Sequence, residues 1–219
     1  MIIDHTHECY IRRWRWTGTD RYNGAYFYSI EIVKNIIPNV QTDRNWITVN
    51  IPEHNNVPQF GVVGASHSIV FVHNNLNPQN YEWLSRYDDL IMVCGVPETM
   101  EKVKHLGIPV YLPLSIDVEE VQKHIRPKSK DVAIAGRRSK VRQFVDADML
   151  AGLCRDSLLD FMAEYRRIYA VGRTAIEAKA LGCEILAYDP RYPDPSIWKV
   201  LDNKDAAKIL QKKLVKIDK

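Results

Sequence analysis

Apolar positions along this 219-residue chain follow two alternating rhythms. Short, nearly unbroken apolar runs occur at Ser68 to His73, Leu90 to Cys94, Val110 to Leu114, Val132 to Ala135, Ile168 to Val171 and Glu184 to Tyr188. Asn45 to Ile51 alternates apolar with polar residues, as a strand with one buried face does. Between the runs, apolar residues return every three or four positions over Tyr26 to Ile37, Pro78 to Tyr87, Glu98 to Leu106, Asp117 to Ile125, Ser157 to Tyr165, Ala175 to Leu181 and Lys204 to Val215, which predicts helices. Pro38 is expected to end the first of these, and Tyr81 and Leu84 to face inward on the second. Asp117 reads as an N-cap, while Gly107 and Gly182 stand where a left-handed C′ residue is expected. From Ala135 to about Arg155 neither period is visible.

Alternation of strand and helix over the whole length predicts an α/β protein with parallel sheets. Arg126-Pro-Lys-Ser-Lys130 reads as a linker, dividing the chain into residues 1–126 and 127–219. The expected architecture is two Rossmann-like halves with an interdomain cleft, where such folds bind ligands.

The segment Ile168 to Asp189 spells out one β-α-β unit. Gly172-Arg-Thr174 forms the turn after a buried strand, a helix follows, and Gly182 ends it before the next strand. A helix starting beyond a strand's carboxyl end offers free N–H groups and a positive dipole end, so an anion such as phosphate fits there. Arg173 in the turn could grip a diphosphate with two parallel hydrogen bonds, and stands equally well as a solvated arginine. Thr174-Ala-Ile-Glu177 has the spacing of a capping box, which is compatible with a second role for Glu177 beside the anion. Gly136-Arg137-Arg138-Ser139-Lys140 follows another small apolar strand and brings three cations to the same edge of a sheet.

The run Gly172-Arg-Thr-Ala-Ile-Glu177-Ala-Lys-Ala-Leu-Gly182-Cys-Glu-Ile-Leu resembles the donor-site segment of GT-B nucleotide-sugar glycosyltransferases. Val132-Ala-Ile-Ala-Gly136-Arg137-Arg-Ser-Lys140 is similar to the strand and Gly-Arg turn that open the family's C-terminal domain. The resemblance covers the last part of the chain, from about residue 130 onward, and implies a GT-B fold in reduced form. It further implies that Gly136, Gly172, Arg173 and Thr174 hold the donor diphosphate and that Glu177 holds the ribose. Arg137 and Lys140 would then neutralise the departing nucleoside diphosphate, acting as catalytic residues without a metal. Tyr169 occupies the position at which the family carries the glutamate that contacts the donor sugar. The implied partners are a nucleotide-diphosphate sugar and an unidentified acceptor, which could be a glycan, a protein or a nucleic acid. A protein that binds the nucleotide or sugar without transferring it is the alternative.

Composition narrows this little. With 30 basic and 27 acidic residues and a net charge of +3, the chain is too balanced to require nucleic acid or a membrane surface as partner. No apolar run is long enough to span a bilayer, and Cys9, Cys94, Cys154 and Cys183 lack CxxC spacing, which fits a reducing cytoplasm. Asp4-His5-Thr6-His7-Glu8 after an apolar start raises a second chemistry, a metal-dependent hydrolase, although a third ligand is not evident. Tyr10 to Trp16 and Arg21 to Tyr28 interleave cations with aromatics, as stacking surfaces for bases or sugars do and as ordinary cores also do. His73-Asn74-Asn75 reads as a turn or a cleft-facing donor cluster, and the proline-rich segment Tyr188 to Pro195 as a stiff loop routing the last helix.

Overall fold

The computed structural model describes the backbone of residues 2–4, 24–49, 66–72, 82, 84–136 and 145–218. The chain is α/β, and every described strand pairing is parallel. Two compact units make it up, residues 1–18, 25–113 and 204–219 forming the first and residues 19–24 and 114–203 the second.

In the first unit β1 (Ile2–Asp4), β2 (Asn45–Val49), β3 (Ser68–Val72), β4 (Leu90–Cys94) and β5 (Ile108–Tyr111) lie side by side in chain order. Every residue of β3 and β4 is buried, because central parallel strands are covered on both faces, and this is why they read as unbroken apolar runs. Their register puts Ile47, Val70 and Met92 in one row. That row, with Val72, Leu90 and Cys94, packs against Leu84, Leu106 and Val103 of α2 (Pro97–Val103). On the opposite face Trp46 stacks on Phe71 with ring centroids 6.0 Å apart. There Ser29 of α1 (Gly24–Glu31) donates a hydrogen bond to Thr48 at 3.2 Å. The C-terminal helix, here α6 (Asn203–Ile217), buries Ala206, Ala207, Leu210 and Leu214 along one stripe. Gln211 on it reaches the Gln41 carbonyl at 3.1 Å, and Asp218 beyond it takes a hydrogen bond from Arg44 at 2.8 Å.

Local expectations fail here for identifiable reasons. The chain does not leave its helical course before Pro38 but passes through a π turn over Ile32–Ile36 into a 3-10 turn over Ile37–Asn39. The Ile37 amide closes the π turn on the Ile32 carbonyl, and Pro38 falls at the start of the new turn, where no donor is needed. Gly107 is not a left-handed helix end. A Cβ there would lie 2.4 Å from the Leu90 carbonyl oxygen, so close approach to β4 requires the glycine. Of the helix expected over Pro78 to Tyr87, the described part is a 3-10 turn at 84–86 with Leu84 buried, and Tyr81 lies outside the described residues.

The second unit contains β6 (Lys130–Ala135), β7 (Asp148–Leu150), β8 (Tyr165–Ala170) and β9 (Glu184–Ala187), in the spatial order β7-β6-β8-β9. Its described helices are α3 (Val118–Gln122), α4 (Arg155–Ala163) and α5 (Arg173–Ala180). Asp117 caps α3 as expected, its carboxylate accepting the Glu120 amide at 3.0 Å. Strand β7 was not anticipated, because only Leu150 of its three residues is buried and no apolar run marks it. Residues 126–130 lie inside this unit: the Ser129 and Lys130 amides both donate to the Glu164 carbonyl, at 2.9 and 3.0 Å. The unit's leading and trailing segments are tied together. The Ile116 amide donates to Leu201 and the Asn203 amide to Ile116, both at 3.0 Å, and buried Ser115 donates to the Asn203 side chain at 2.7 Å.

Candidate functional site

The strand order of the second unit selects one location for chemistry. From β6 the chain turns to β7 on one side, then crosses to β8 on the other and continues to β9. The connections that follow β6 and β8 therefore part in opposite directions, and a parallel sheet opens a ligand crevice beyond its carboxyl edge at such a switch point.

A glycine with positive φ stands at each of the two strand ends. Gly136 follows β6 with φ 148°, and Gly172 follows β8 with φ 63°. Gly172 is the N-cap of α5 with ψ −137°, a conformation natural only to glycine, and the Ile176 amide closes the first helical turn on its carbonyl at 3.2 Å. Among the described residues a Cβ at Gly172 would meet only the Leu114 Cδ1, at an ordinary contact distance of 3.9 Å, so the requirement there comes from the backbone. Gly136 has the other kind of requirement, since a Cβ would come within 2.6 Å of the Tyr188 hydroxyl. Tyr188, which follows β9 and is buried, reaches across to the end of β6.

The helix start differs from the capping box that the sequence suggests. Gly172, not Thr174, is the N-cap, and no side chain caps the helix. The left-handed glycine lets α5 begin earlier, which places Thr174 within the first turn and Glu177 in the second. The first-turn amides of Arg173, Thr174 and Ala175 precede the reach of intrahelical acceptors and face the carboxyl edge of the sheet.

Two of the expected binding residues meet each other. Arg173 Nε donates to Glu177 Oε1 at 2.9 Å, with the two side chains 4% and 0% exposed. Arg155, the first residue of α4, brings a second guanidinium to the same oxygen, its Nε 3.5 Å away. Arg173 therefore does not project from the turn into solvent. Two arginines from the starts of successive helices converge on one buried carboxylate just behind the switch point, and any ribose contact by Glu177 would share that carboxylate with them. Arg155 was not foreseen. It occupies the same place in α4 that Arg173 occupies in α5, but the hidden β7 removes the strand–turn–helix signal that marked Arg173.

At its far end α5 closes as expected. Gly182, with φ 79°, donates to the Lys179 carbonyl and Cys183 to the Ala178 carbonyl, both at 3.0 Å, the paired bonds of a Schellman motif. The loop after β9 is stiffened by more than its prolines. Buried Asp189 accepts Arg191 Nε at 3.0 Å and its terminal nitrogen at 2.7 Å, and Lys179 of α5 holds the carbonyl of buried Trp198 at 3.2 Å.

Arg137 and Lys140, expected as catalytic cations, lie outside the described residues, as do His5, His7, His73-Asn74-Asn75 and the aromatic stretch from Tyr10 to Tyr22. Among the described residues no group of three or more histidine, cysteine or acidic side chains is placed to hold a metal. No described helix is long and apolar enough to cross a membrane. Comparison of the chain with protein-family models, curated proteins and solved structures gives no match.

Proposed function

We propose that the second unit binds the diphosphate of a nucleotide sugar at the β6/β8 switch point, as a reduced GT-B-like protein. The observation that carries the reading is the coincidence of three features there. Gly136 and Gly172 end adjacent strands in conformations that favour glycine, the connections diverge between them, and α5 starts at Gly172 with first-turn amides that have no intrahelical acceptor. In this reading the Gly172 to Thr174 backbone cradles the phosphates, with Gly136 on the opposite bank. Arg173 and Arg155 supply positive potential from behind, and their contact with Glu177 fixes where that potential sits. If the sugar is transferred to an acceptor, Arg137 and Lys140 are the cations proposed to stabilise the leaving diphosphate. Binding without transfer leaves the same cradle in place.

Thermal shift tests the reading directly. UDP, GDP, ADP and their common sugar conjugates are each added to the whole protein, because a ligand that binds only the folded state raises its melting temperature. One base is expected to raise it. Thr174→Asp should abolish the shift while leaving the unliganded protein intact, since an added carboxylate repels phosphate yet suits a helix N-terminus. Release of free nucleoside diphosphate from the sugar conjugate then separates transfer or hydrolysis from binding. If no nucleotide moves the melting temperature, the reading is wrong.

A further inference from the structure

At the end of α5 remote from Gly172, a lysine and a cysteine are held together by contacts that each makes elsewhere. Lys128 Nζ donates to the Leu181 carbonyl at 2.8 Å, satisfying one of the exposed acceptors at the helix end, and to Cys183 Sγ at 3.2 Å. The Cys183 thiol in turn points at the Met162 carbonyl, 3.4 Å away. Both groups are thus oriented before any reaction. Cys183 is 5% exposed, while Lys128 beside it is only partly buried. A thiol so little exposed offers almost no surface to a second protein thiol, whereas peroxide is a far smaller reactant.

We propose that Lys128 and Cys183 are an oxidant-responsive pair that peroxide closes into a covalent nitrogen–sulfur bridge. Peroxide first takes the Cys183 thiol to the sulfenic acid, releasing one water. The neutral Lys128 amine then attacks the sulfur, the N–S bond forms, the S–O bond breaks, and hydroxide leaves with the amine's proton as a second water. Overall the amine and thiol each lose one hydrogen, sulfur is oxidised and one peroxide is reduced. Dithiol reductants reverse the change by returning the thiol and the amine.

Burial pushes the Cys183 thiol above its ordinary range, while the neighbouring Lys128 ammonium pulls it down. The ionised thiol becomes commoner as pH rises, so its oxidation, and with it bridging, should be faster in mildly alkaline than in neutral solution. The bridge would fasten the segment before β6 to the residue between Gly182 and β9, two places already in contact, so it needs no rearrangement of the fold.

The test treats the whole protein with hydrogen peroxide and reads it by intact mass and peptide mapping. Expected is a mass lower by two hydrogens, a linked peptide pair containing Lys128 and Cys183, and loss of Cys183 alkylation that dithiothreitol restores. Lys128→Arg preserves the charge and the donor at the helix end but cannot condense, so its Cys183 should oxidise without any linked peptide. Cys183 carried to sulfinic acid in the wild type with no linked peptide, or left alkylatable throughout, would overturn the proposal. Circular dichroism of both proteins before treatment verifies that each is folded.

Discussion

Removing the carboxylate of Glu177 tests whether it and the arginine pair behind the switch point form a buried ionic cluster. In Glu177→Ala the Arg173 guanidinium, 4% exposed, loses an acceptor at 2.9 Å, and Arg155, 12% exposed, loses one at 3.5 Å. Breaking a buried pair by deleting one partner costs roughly 3–5 kcal/mol, most of it from the charge left behind. The longer contact adds little, because at 3.5 Å it is an ion pair without a short hydrogen bond, so the total stays at about 3–5 kcal/mol. That is a large part of the roughly 5–15 kcal/mol by which a domain is stable. Urea denaturation of the whole chain, with amide hydrogen exchange in β8 and α5, measures it. Glu177→Gln should fall between wild type and alanine, since it keeps the acceptor oxygen and loses the charge. Changing both partners, Glu177→Leu with Arg173→Met, should recover part of the loss, because a hydrophobic pair of similar volume often replaces a buried ion pair without penalty. A loss below about 1 kcal/mol in Glu177→Ala would mean that the carboxylate is hydrated and the cluster is a surface pair. The size of the expected loss also explains why alanine at Glu177 is a poor probe of ligand binding and why Thr174→Asp serves better.

Further expectations concern the glycines, the edge of the first sheet and a helix cap. Gly172→Ala meets no described neighbour closer than 3.9 Å yet should cost about 1–3 kcal/mol from backbone strain alone, read as a lower urea midpoint. Gly107→Ala should cost a similar roughly 1–3 kcal/mol by overpacking, its Cβ being driven against the Leu90 carbonyl, with local loss of exchange protection in β4. Asp117→Ala should cost about 1 kcal/mol through loss of the α3 cap, read in the same denaturation. At the amino edge of the first sheet His67 lies between Asp89, 2.6 Å from Nδ1, and Asp43, 3.3 Å from Nε2, with Arg44 also on Asp89. These hydrogen bonds raise the His67 pKa, and its hydrogen bond lowers that of Asp89. The histidine's contribution is therefore complete below its unfolded pKa of about 6.5 and disappears as pH rises through the higher folded value. The aspartate's is present above its unfolded pKa and disappears as pH falls through the lower folded one. Both groups are nearly half exposed, so His67→Gln should flatten the stability profile between mildly acidic and alkaline pH by only about 0.5 kcal/mol. An unchanged profile would show that the histidine is not protonated in this pair.

Much of the alternation was legible because burial on both faces leaves a sign in composition. Strands β3 and β4, the Schellman end of α5 and the Asp117 cap all depend on local residue types, and these elements lie where the pattern puts them, whereas β8 begins at Tyr165, three residues before its apolar run, because Arg166 and Arg167 interrupt the apolar pattern there. What failed depended on partners distant in sequence. Gly107 looked like a helix end because nothing nearby shows that Leu90 runs against it. Strand β7 is short and mostly exposed, and hiding it also hid Arg155. The turn at Gly172 was readable as a glycine turn, but not the inward course of Arg173, which is determined by Glu177 one helical turn later and by an arginine from another helix. The linker signal in Arg126-Pro-Lys-Ser-Lys130 reflected polarity and a proline, whereas the Glu164 carbonyl and the end of α5 hold that segment within the second unit.

The tie between residues 115–116 and 201–203 has a consequence for how the chain is made. The second unit is an insertion whose two ends are neighbours, and the first unit is not complete until the helix at 204–217 has been synthesised. The inserted unit can therefore fold without the apolar stripe of Ala206, Ala207, Leu210 and Leu214, whereas its host cannot close its core without it.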